Sequence, residues 1–247
     1  MRTLTSRHVA TRRLGHLVAQ PPDAFDGLVA WWTPQEVTLV DGRVSVAADL
    51  SGNGFDMEQD TAASRPYLVD HDGRVWFDFT QGNHYLSSVG PGPVPAGQRS
   101  IAAVIHLPYD AHIGARRAFL ESYPNYFGGA MEISASDVLA AHCNDGGLKT
   151  VTEPVTFPLR STEVVGVSMR SGGAHTLFRG DERVSCQRIA GNISTTNQIG
   201  FRLGTYRDAN GRWFDGYLGD VVIIDRELRL DEWAALIAWF RIEWGAA

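Results

Sequence analysis

The C-terminal stretch of the chain combines a strand that must be buried on both faces with a helix that must cover it. Residues Val221–Ile224 form an uninterrupted apolar, β-branched run, which is typical of a strand with apolar layers on either side. Apolar residues then recur at helical spacing and predict a helix over 230–244, with acidic residues in its first turn and Gly245 as its stop. The face that would lie on the sheet carries Trp233, Ile237, Phe240 and Trp244, flanked by Leu230, Ala234 and Leu236. Such a pair of elements requires a β-sheet whose outer face the helix closes.

The rest of the chain is typical of many short strands joined by tight turns. Asp41-Gly42 is the strongest hairpin signal, and Asp72-Gly73 is a second. No helical pattern interrupts the strand rhythm, which is what two packed antiparallel sheets require. The predicted strands cover 27–32, 37–40, 42–46, 67–69, 74–79, 99–107, 115–121, 127–133, 137–142, 150–157, 163–169, 174–178, 182–189 and 198–205. At 247 residues the chain is long enough to form one such domain.

Several short motifs in a fixed order carry a resemblance to a known family. The first group is Leu28–Trp32, Asp49–Gly54, Arg65–Pro66, a Gly-x-x-x-Phe-Asp strand from Gly73 to Asp78, and Tyr85–Leu86; the last is Phe214–Gly216, Asp220–Val221, Asp225–Arg226, Leu228 and Asp231–Glu232. This order resembles the laminin-G-like jelly rolls of the concanavalin A-like lectin/glucanase superfamily. The resemblance implies an all-β, two-sheet antiparallel jelly-roll sandwich with one C-terminal α-helix, and sugars as the usual ligand. Arg229 departs from the pattern, because the family often has a capping Ser or Thr there, and residues 87–197 match by strand rhythm only.

The N-terminus is predicted to be an extended basic arm. Residues 1–24 form the arm and linker, and residues 25–247 the jelly-roll domain; before residue 21 the chain has no acid, so the body is acidic. The residues proposed to dock on a partner are Arg2, Arg7, Arg12 and Arg13 of the arm, with Trp239 and Ile242 on the far face of the helix. Two alternatives remain open: the arm runs along its own sandwich, and Trp239 is covered by its own chain.

The positions of the acidic residues in the sequence argue against catalysis. Glucanases of the superfamily place paired carboxylates on one strand, where alternation points them to one face. The nearest clusters here, 58–60 and 225–227, are expected in turns or at a strand end. The chain has neither a Gly-x-Ser-x-Gly elbow nor a phosphate-binding loop of the Gly-x-x-x-x-Gly-Lys type. The sequence therefore predicts that the protein is not an enzyme.

Two loops combine aromatic rings with planar polar groups, as sugar recognition requires. The candidate ligand-binding residues are Tyr123, Asn125 and Tyr126 in one loop, and Tyr206, Arg207, Asp208 and Trp213 in the other. In the alternative interpretation, Tyr126 and Trp213 are core edges and the rest is turn chemistry.

No cofactor is expected, and calcium is the one ion considered. Its candidate ligands are Asp49, Asn53 and Asp208, although Asp49 and Asn53 also suit a role in locking their own turn. Cys143 and Cys186 form neither a disulfide framework nor a metal set and are expected to be free, and the segment around His142 is expected to be a turn.

The favoured function is a non-enzymatic structural or adhesive protein of a virion, such as a phage tail, fibre or head-decoration component. A lectin-like body with a basic arm resembles phage structural proteins in layout, and this places the protein on the virion surface after assembly in the host cytoplasm. The expected partners are other copies, other virion proteins and a cell-surface glycan. Nucleic acid is disfavoured by the acidic body, and neither a secretion signal nor membrane insertion is expected. A free bacterial carbohydrate-binding module or lectin, and a glycan-cleaving enzyme, are the alternatives.

Overall fold

A computed structural model describes ten stretches of the chain: residues 13–14, 17–88, 98–108, 117–123, 130–144, 148–154, 156–170, 172–188, 200–205 and 213–246. They contain nineteen strands, two short 3₁₀ turns and one α-helix. The strands are β1 Arg13–Leu14, β2 Leu17–Val18, β3 Leu28–Trp32, β4 Val37–Val40, β5 Arg43–Ala47, β6 Met57–Glu58, β7 Tyr67–His71, β8 Arg74–Asp78, β9 Leu86–Ser87, β10 Gln98–His106, β11 Arg117–Tyr123, β12 Ala130–Ile133, β13 Leu139–Asn144, β14 Leu148–Thr152, β15 Thr162–Arg170, β16 Ala174–Arg179, β17 Glu182–Arg188, β18 Gly200–Leu203 and β19 Tyr217–Ile224. The 3₁₀ turns are Pro22–Ala24 and Ala62–Ser64, and the helix is α1 Leu230–Trp244.

Antiparallel pairing arranges the strands of the body in two layers. The helix-side layer runs β17–β16–β15–β10–β19, and β19 then pairs with β3 along one half and with β8 along the other. The opposite layer runs β14–β13–β12–β11–β18–β9–β6–β5–β4. Strand β7 joins the layers at one edge, since it pairs with both β8 and β5. The predicted jelly-roll sandwich is confirmed.

The last strand contributes to two hydrophobic cores. Val221 and Ile223 lie in the core between the layers, whereas Val222 and Ile224 face α1. This alternation follows from the period of two along a strand, and it accounts for the unbroken β-branched run. On the helix, the predicted stripe of Trp233, Ile237, Phe240 and Trp244 is buried against this layer. The helix therefore closes the outer face of the sheet, as predicted.

The predicted bounds of α1 match the observed ones, but one flanking residue does not lie where it was expected. Leu230 is 68% exposed, because it begins the helix at the margin of the sheet and contacts no layer from there. At the other end Gly245 has φ +60° and donates its N–H to the carbonyl of Arg241, as a left-handed C-cap does. No helix in the described stretches is long and apolar enough to span a membrane.

The N-terminus of α1 is capped by an acid in place of a hydroxyl. Arg229 occupies the N-cap position and its side chain accepts nothing, since a guanidinium has only donors. The Glu232 carboxylate instead accepts the backbone N–H of Arg229 at 2.9 Å and two N–H groups of Arg226 at 2.8 and 2.9 Å. Glu232 thus supplies the acidic half of a capping box, held in place by Arg226, while the Ser or Thr half is missing.

Candidate functional site

A polar groove of about 480 Å³ opens on the opposite layer, between the segment that contains β6 and the start of β9. Its lining includes Asp56, Glu58, Gln59, Asp60, Thr61 and Tyr85. Three of these side chains are exposed carboxylates, so the groove is acidic and rich in hydrogen-bond acceptors. We call this cavity the Tyr85 groove.

Hydrogen bonds fix the wall of the Tyr85 groove. Asp56 accepts the backbone N–H of Asp49 through Oδ1 at 2.7 Å. Gln59 donates Nε2–H to the carbonyl of Tyr85 at 3.1 Å and accepts the N–H of Thr61 through Oε1 at 3.0 Å. Arg65 donates Nε–H to the carbonyl of Gln59 at 2.7 Å. Because these bonds join the groove segment to its neighbours, the exposed carboxylates project from a defined backbone.

An aromatic step borders the groove. The rings of Tyr85 and Trp213 lie 6.2 Å apart with 34° between their planes, and both side chains are half-buried. The Arg202 guanidinium carbon lies 6.0 Å from the centre of the Tyr85 ring. Two neighbouring rings beside a row of acceptors form the combination that binds the C–H face and the hydroxyls of a sugar.

Strand pairing places the charges around this step. Ser87 of β9 pairs with Glu58 of β6 on one side and with Arg202 of β18 on the other. Next to Tyr85, burial and then the charge of Arg43 lower the pKa of His84, so its imidazole is neutral at pH 7. The three groove carboxylates are exposed, and Arg202 lies on the same outer face of the layer as Glu58 and Ser87, over the Tyr85 ring.

The predicted calcium ligands act within their own turn. Asp49 accepts the N–H groups of Trp31 and Ser51 through Oδ1 at 3.1 and 2.9 Å, and that of Phe55 through Oδ2 at 3.0 Å. Asn53 donates Nδ2–H to the carbonyl groups of Leu28 and Val29 at 2.8 and 3.0 Å. The turn-locking interpretation of these two residues is confirmed. Asp208 lies outside the described residues.

The two predicted sugar loops leave opposite ends of one strand pair. In the antiparallel pairing of β11 and β18, Tyr123 lies opposite Gly200 and Leu120 opposite Leu203. The segment after Tyr123 therefore starts at one end of the pair, and the segment after β18 starts at the other. Of the predicted ligand-binding residues, Trp213 and the backbone of Tyr123 are described, and Asn125, Tyr126, Tyr206, Arg207 and Asp208 lie outside the described residues. Trp213 contacts the ring of Tyr85 and lies next to the Tyr85 groove, whose lining it does not enter.

The two acidic clusters singled out from the sequence lie at strand ends, as expected: Glu58 is the last residue of β6, and Asp225 follows the last residue of β19. Two other acidic residues, Glu121 and Glu132, lie within β11 and β12 on the face turned away from the core. Glu132 forms an ion pair with His142 at 3.0 Å, and His142 lies in β13, not in a turn. Glu121 and Glu132 are 0% exposed, so this cluster forms no open cleft floor.

The described part of the arm lies against its own domain. Arg13 and Leu14 pair with β2, and Gln20 donates its N–H to the carbonyl of Ala235 in α1 at 3.1 Å. Trp239 is 8% exposed and packs edge-on against Trp31 at 5.7 Å, so its own chain covers it. The partly buried Ile242 packs against the same core. Arg2, Arg7 and Arg12 lie outside the described residues, and docking of the arm on a partner stays a prediction. Cys186 is free and exposed.

The two packed layers and the closing helix define an all-β jelly-roll sandwich. Neither a protein-family model nor a curated protein matches the chain. Among solved structures, the binding domain of Paraclostridial Mosquitocidal Protein 1 matches with a TM-score of 0.66 and 15% identity, over 87% of this chain and 53% of that one. The botulinum neurotoxin serotype G binding domain matches with a TM-score of 0.64 and 12% identity, over 85% and 50%. The botulinum neurotoxin DC binding domain, solved in complex with SialylT, matches with a TM-score of 0.60 and 10% identity, over 86% and 51%.

These likenesses concern the fold. The chain spans about half the length of the structures it matches. All three are binding domains of toxins, so the phage setting and the laminin-G identity stay predictions.

Tyr85, which lines the groove, is not among the ligand-binding residues that the sequence predicts. It belongs to one of the motifs that carry the family resemblance, and the sequence predicts a turn for the acidic segment beside it. A usable signal existed: Asp56, Glu58 and Asp60 alternate with Met57 and Gln59, which are buried. That alternation indicates a segment with one solvated acidic face.

Proposed function

We propose that this chain is a non-enzymatic carbohydrate-binding domain that binds its ligand in the Tyr85 groove. The observation that carries the proposal is the step of Tyr85 and Trp213 beside a cavity of about 480 Å³ lined with carboxylate and amide groups. Cavities of this size and composition suit one or two sugar rings. The botulinum neurotoxin DC binding domain, solved in complex with SialylT, supports ligand binding by a protein of this fold; because a sialyl group carries a carboxylate, it gives no support to the choice of a neutral sugar.

The charges of the groove select among sugars. Asp56, Glu58 and Asp60 accept hydrogen bonds from hydroxyl groups, and they repel any ligand that carries a carboxylate or a sulfate. The proposed ligand is therefore a neutral or amino sugar, with one ring face against Tyr85 or Trp213.

Binding without cleavage is the reaction class that fits. Cleavage of a glycosidic bond needs two carboxylates that reach the same bond from opposite sides. Glu121 and Glu132 converge on a face but are fully buried, and the groove carboxylates follow one another along a single short segment. Neither set of carboxylates is therefore placed to reach one glycosidic bond from opposite sides.

We further propose that this domain acts on the surface of a virion. A lectin-like body preceded by a basic arm is the layout that motivates a virion surface role, with the arm contacting other copies or other virion proteins. Removal of residues 2–20 tests this part by sedimentation of the protein with and without the arm. An unchanged oligomeric state would contradict it, and the sugar-binding proposal would stand apart from that result.

The sugar-binding proposal is tested on a glycan array of neutral and acidic oligosaccharides, followed by calorimetric titration of the strongest neutral binder. Tyr85→Ala should weaken binding about tenfold, because it removes one stacking face worth about 1.4 kcal/mol. Tyr217→Ala is the matched control, since Tyr217 is a half-buried tyrosine on the helix side of the sandwich and lines no part of the groove. Equal affinities of the two variants, or an array on which no neutral glycan binds, would contradict the proposal.

A further inference from the structure

A second cavity of about 480 Å³ lies on the helix-side layer, beyond the N-terminus of α1. Arg170 at the end of β15, Arg183 in β17 and Arg229 at the N-cap of α1 reach it from three separate elements. Glu227 is the one acid in its lining. We call this cavity the arginine groove. An excess of positive charge at this place is notable because the chain as a whole carries a net charge of −6.

The positive charges of the arginine groove are only partly neutralised by acidic neighbours. Neither the Arg170 nor the Arg183 guanidinium has a hydrogen bond or an ion pair with another described residue, and both side chains are exposed. Arg229 pairs with Asp231 at 3.1 Å, but both side chains are about 70% exposed, and such a pair exchanges readily with a competing anion. Two or three guanidinium groups are thus open to a ligand.

The floor of the groove contains two hydroxyl groups, of which that of Ser168 is already hydrogen-bonded to Ser100 Oγ at 3.0 Å. Ser168 and Thr176 face each other across β15 and β16 and are 2% and 7% exposed. The Thr176 hydroxyl has one weak acceptor, the Cys186 sulfur at 3.5 Å, so it can turn to a better one. Phe178 completes the floor and is fixed by its ring contact with Trp233 at 4.4 Å.

The position of Arg170 is set by a glycine. A Cβ atom at Gly173 would lie 2.8 Å from Cγ and Cδ of Arg170, so the aliphatic stem folds over the glycine. The helix N-terminus itself contributes little, because Glu232 already accepts the Arg229 N–H. The arginine side chains and the hydroxyl floor are the groups that define the groove.

From this geometry we infer that the arginine groove binds an oxyanion, namely the phosphate or sulfate ester group of a small ligand. A tetrahedral ester presents three oxygen atoms in different directions, and each can meet a guanidinium from a different element, whereas a planar carboxylate offers two in one plane. The exposed Leu230 at the rim leaves room for an apolar part of the same ligand. This site is separate from the Tyr85 groove and does not depend on the sugar-binding proposal.

Calorimetric titration with sodium phosphate and sodium sulfate, at constant ionic strength, tests the inference on the intact chain. Saturable binding is expected for the wild type. Arg170→Gln and Arg183→Gln should each weaken it about tenfold, because each removes a charge-assisted hydrogen bond. Arg74→Gln is the control: it makes the same change of charge at the opposite end of α1. Equal weakening by Arg74→Gln, or no saturable binding at millimolar concentrations, would overturn the inference.

Gly173→Ala separates position from charge. It should weaken binding by displacing the Arg170 stem while every charge is kept, and unchanged affinity would contradict the role of Arg170. Arg170 and Arg183 are exposed, whereas Gly173 and Arg74 are half-buried, so the urea unfolding midpoint of each variant is compared with that of the wild type to detect a folding defect.

The source of the ester is identified by competition. Glucose 6-phosphate and glucosamine 6-sulfate should each displace inorganic phosphate, and the tighter of the two identifies the ester; failure of both would refute the assignment to an ester-bearing ligand. Tyr85→Ala should leave these affinities unchanged, so failure of one site is distinguishable from failure of the other.

Discussion

A buried carboxylate on the last strand makes the stability of this domain depend on pH in an unusual direction. Asp220 is 3% exposed, and burial raises its pKa from 3.8 to about 6, although Thr33, Trp244 and Trp31 lie within hydrogen-bonding reach of it. The perturbation to make is Asp220→Asn, which keeps the shape of the side chain and removes its ionisation.

The magnitude follows from the difference in pKa between the folded and unfolded states. Below pH 3.8 both states hold the proton of Asp220. As the pH rises from 3.8 to about 6, the unfolded chain ionises first, so the folded state loses relative stability. A shift of about two units corresponds to about 3 kcal/mol at pH 7. The Asn variant does not titrate, so its free energy of unfolding should rise relative to the wild type by about 2 kcal/mol between pH 4.5 and 7, because about 1 kcal/mol of the difference has already developed below pH 4.5.

The assay is urea unfolding followed by tryptophan fluorescence at several pH values from 4.5 to neutrality. The test compares how the free energy of unfolding changes with pH in the wild type and in Asp220→Asn. A single pH value is not sufficient, because the amide also has one acceptor fewer than the carboxylate at every pH. Asp181→Asn is the control: a hydrogen bond from Arg241 lowers the pKa of Asp181, so its titration falls below this range. A difference between wild type and Asp220→Asn that stays constant with pH would refute the reasoning.

Two further predictions concern the helix-side layer. Burial and the neighbouring His71 lower the pKa of His106, so protonation of this group favours the unfolded state as the pH falls below 6.5. Between pH 7.5 and 5.5 the urea unfolding midpoint of His106→Gln should therefore fall less than that of the wild type. Equal decreases in the two midpoints would contradict this prediction. At Gly166 a Cβ would lie 2.1 Å from Trp233 Cη2 and 2.7 Å from the carbonyl oxygen of Ile101, so Gly166→Ala should lower the free energy of unfolding by about 1–3 kcal/mol. Combined with Trp233→Phe the cost should shrink, and strictly additive free energies would argue against the clash.

The elements of this fold that follow from short stretches of sequence could be predicted, and those that depend on distant pairing could not. The bounds of α1 and the hairpin at Asp41-Gly42 follow from spacing, caps and positive φ angles, all of which are local. Leu230 fits the apolar period but is exposed, because the period says nothing about where the sheet beneath the helix ends. Periodicity predicts which face of a helix is buried, but it does not predict how far the helix extends beyond the edge of the sheet.

The two candidate sites depend on pairing between distant parts of the chain and could not be predicted from local sequence. The Tyr85 groove depends on Ser87 pairing with both Glu58 and Arg202, which come from distant parts of the chain. A change of register by one residue would turn Glu58 to the other face, and no local pattern fixes that register. The arginine groove likewise needs β15, β17 and the start of α1 to meet, and each arginine taken alone is an ordinary surface residue.

The position of the helix explains why both grooves lie where they do. Since α1 covers the outer face of the helix-side layer, that layer can offer a ligand only its margin, and the arginine groove begins where the helix begins. On the opposite layer Glu121 and Glu132 are buried, and the Tyr85 groove lies beside the two short strands β6 and β9. The two grooves carry opposite charge, so a group that one attracts is repelled by the other. They therefore select different chemical groups, and a ligand that occupied both would need a neutral or amino sugar at one end and an anionic ester at the other.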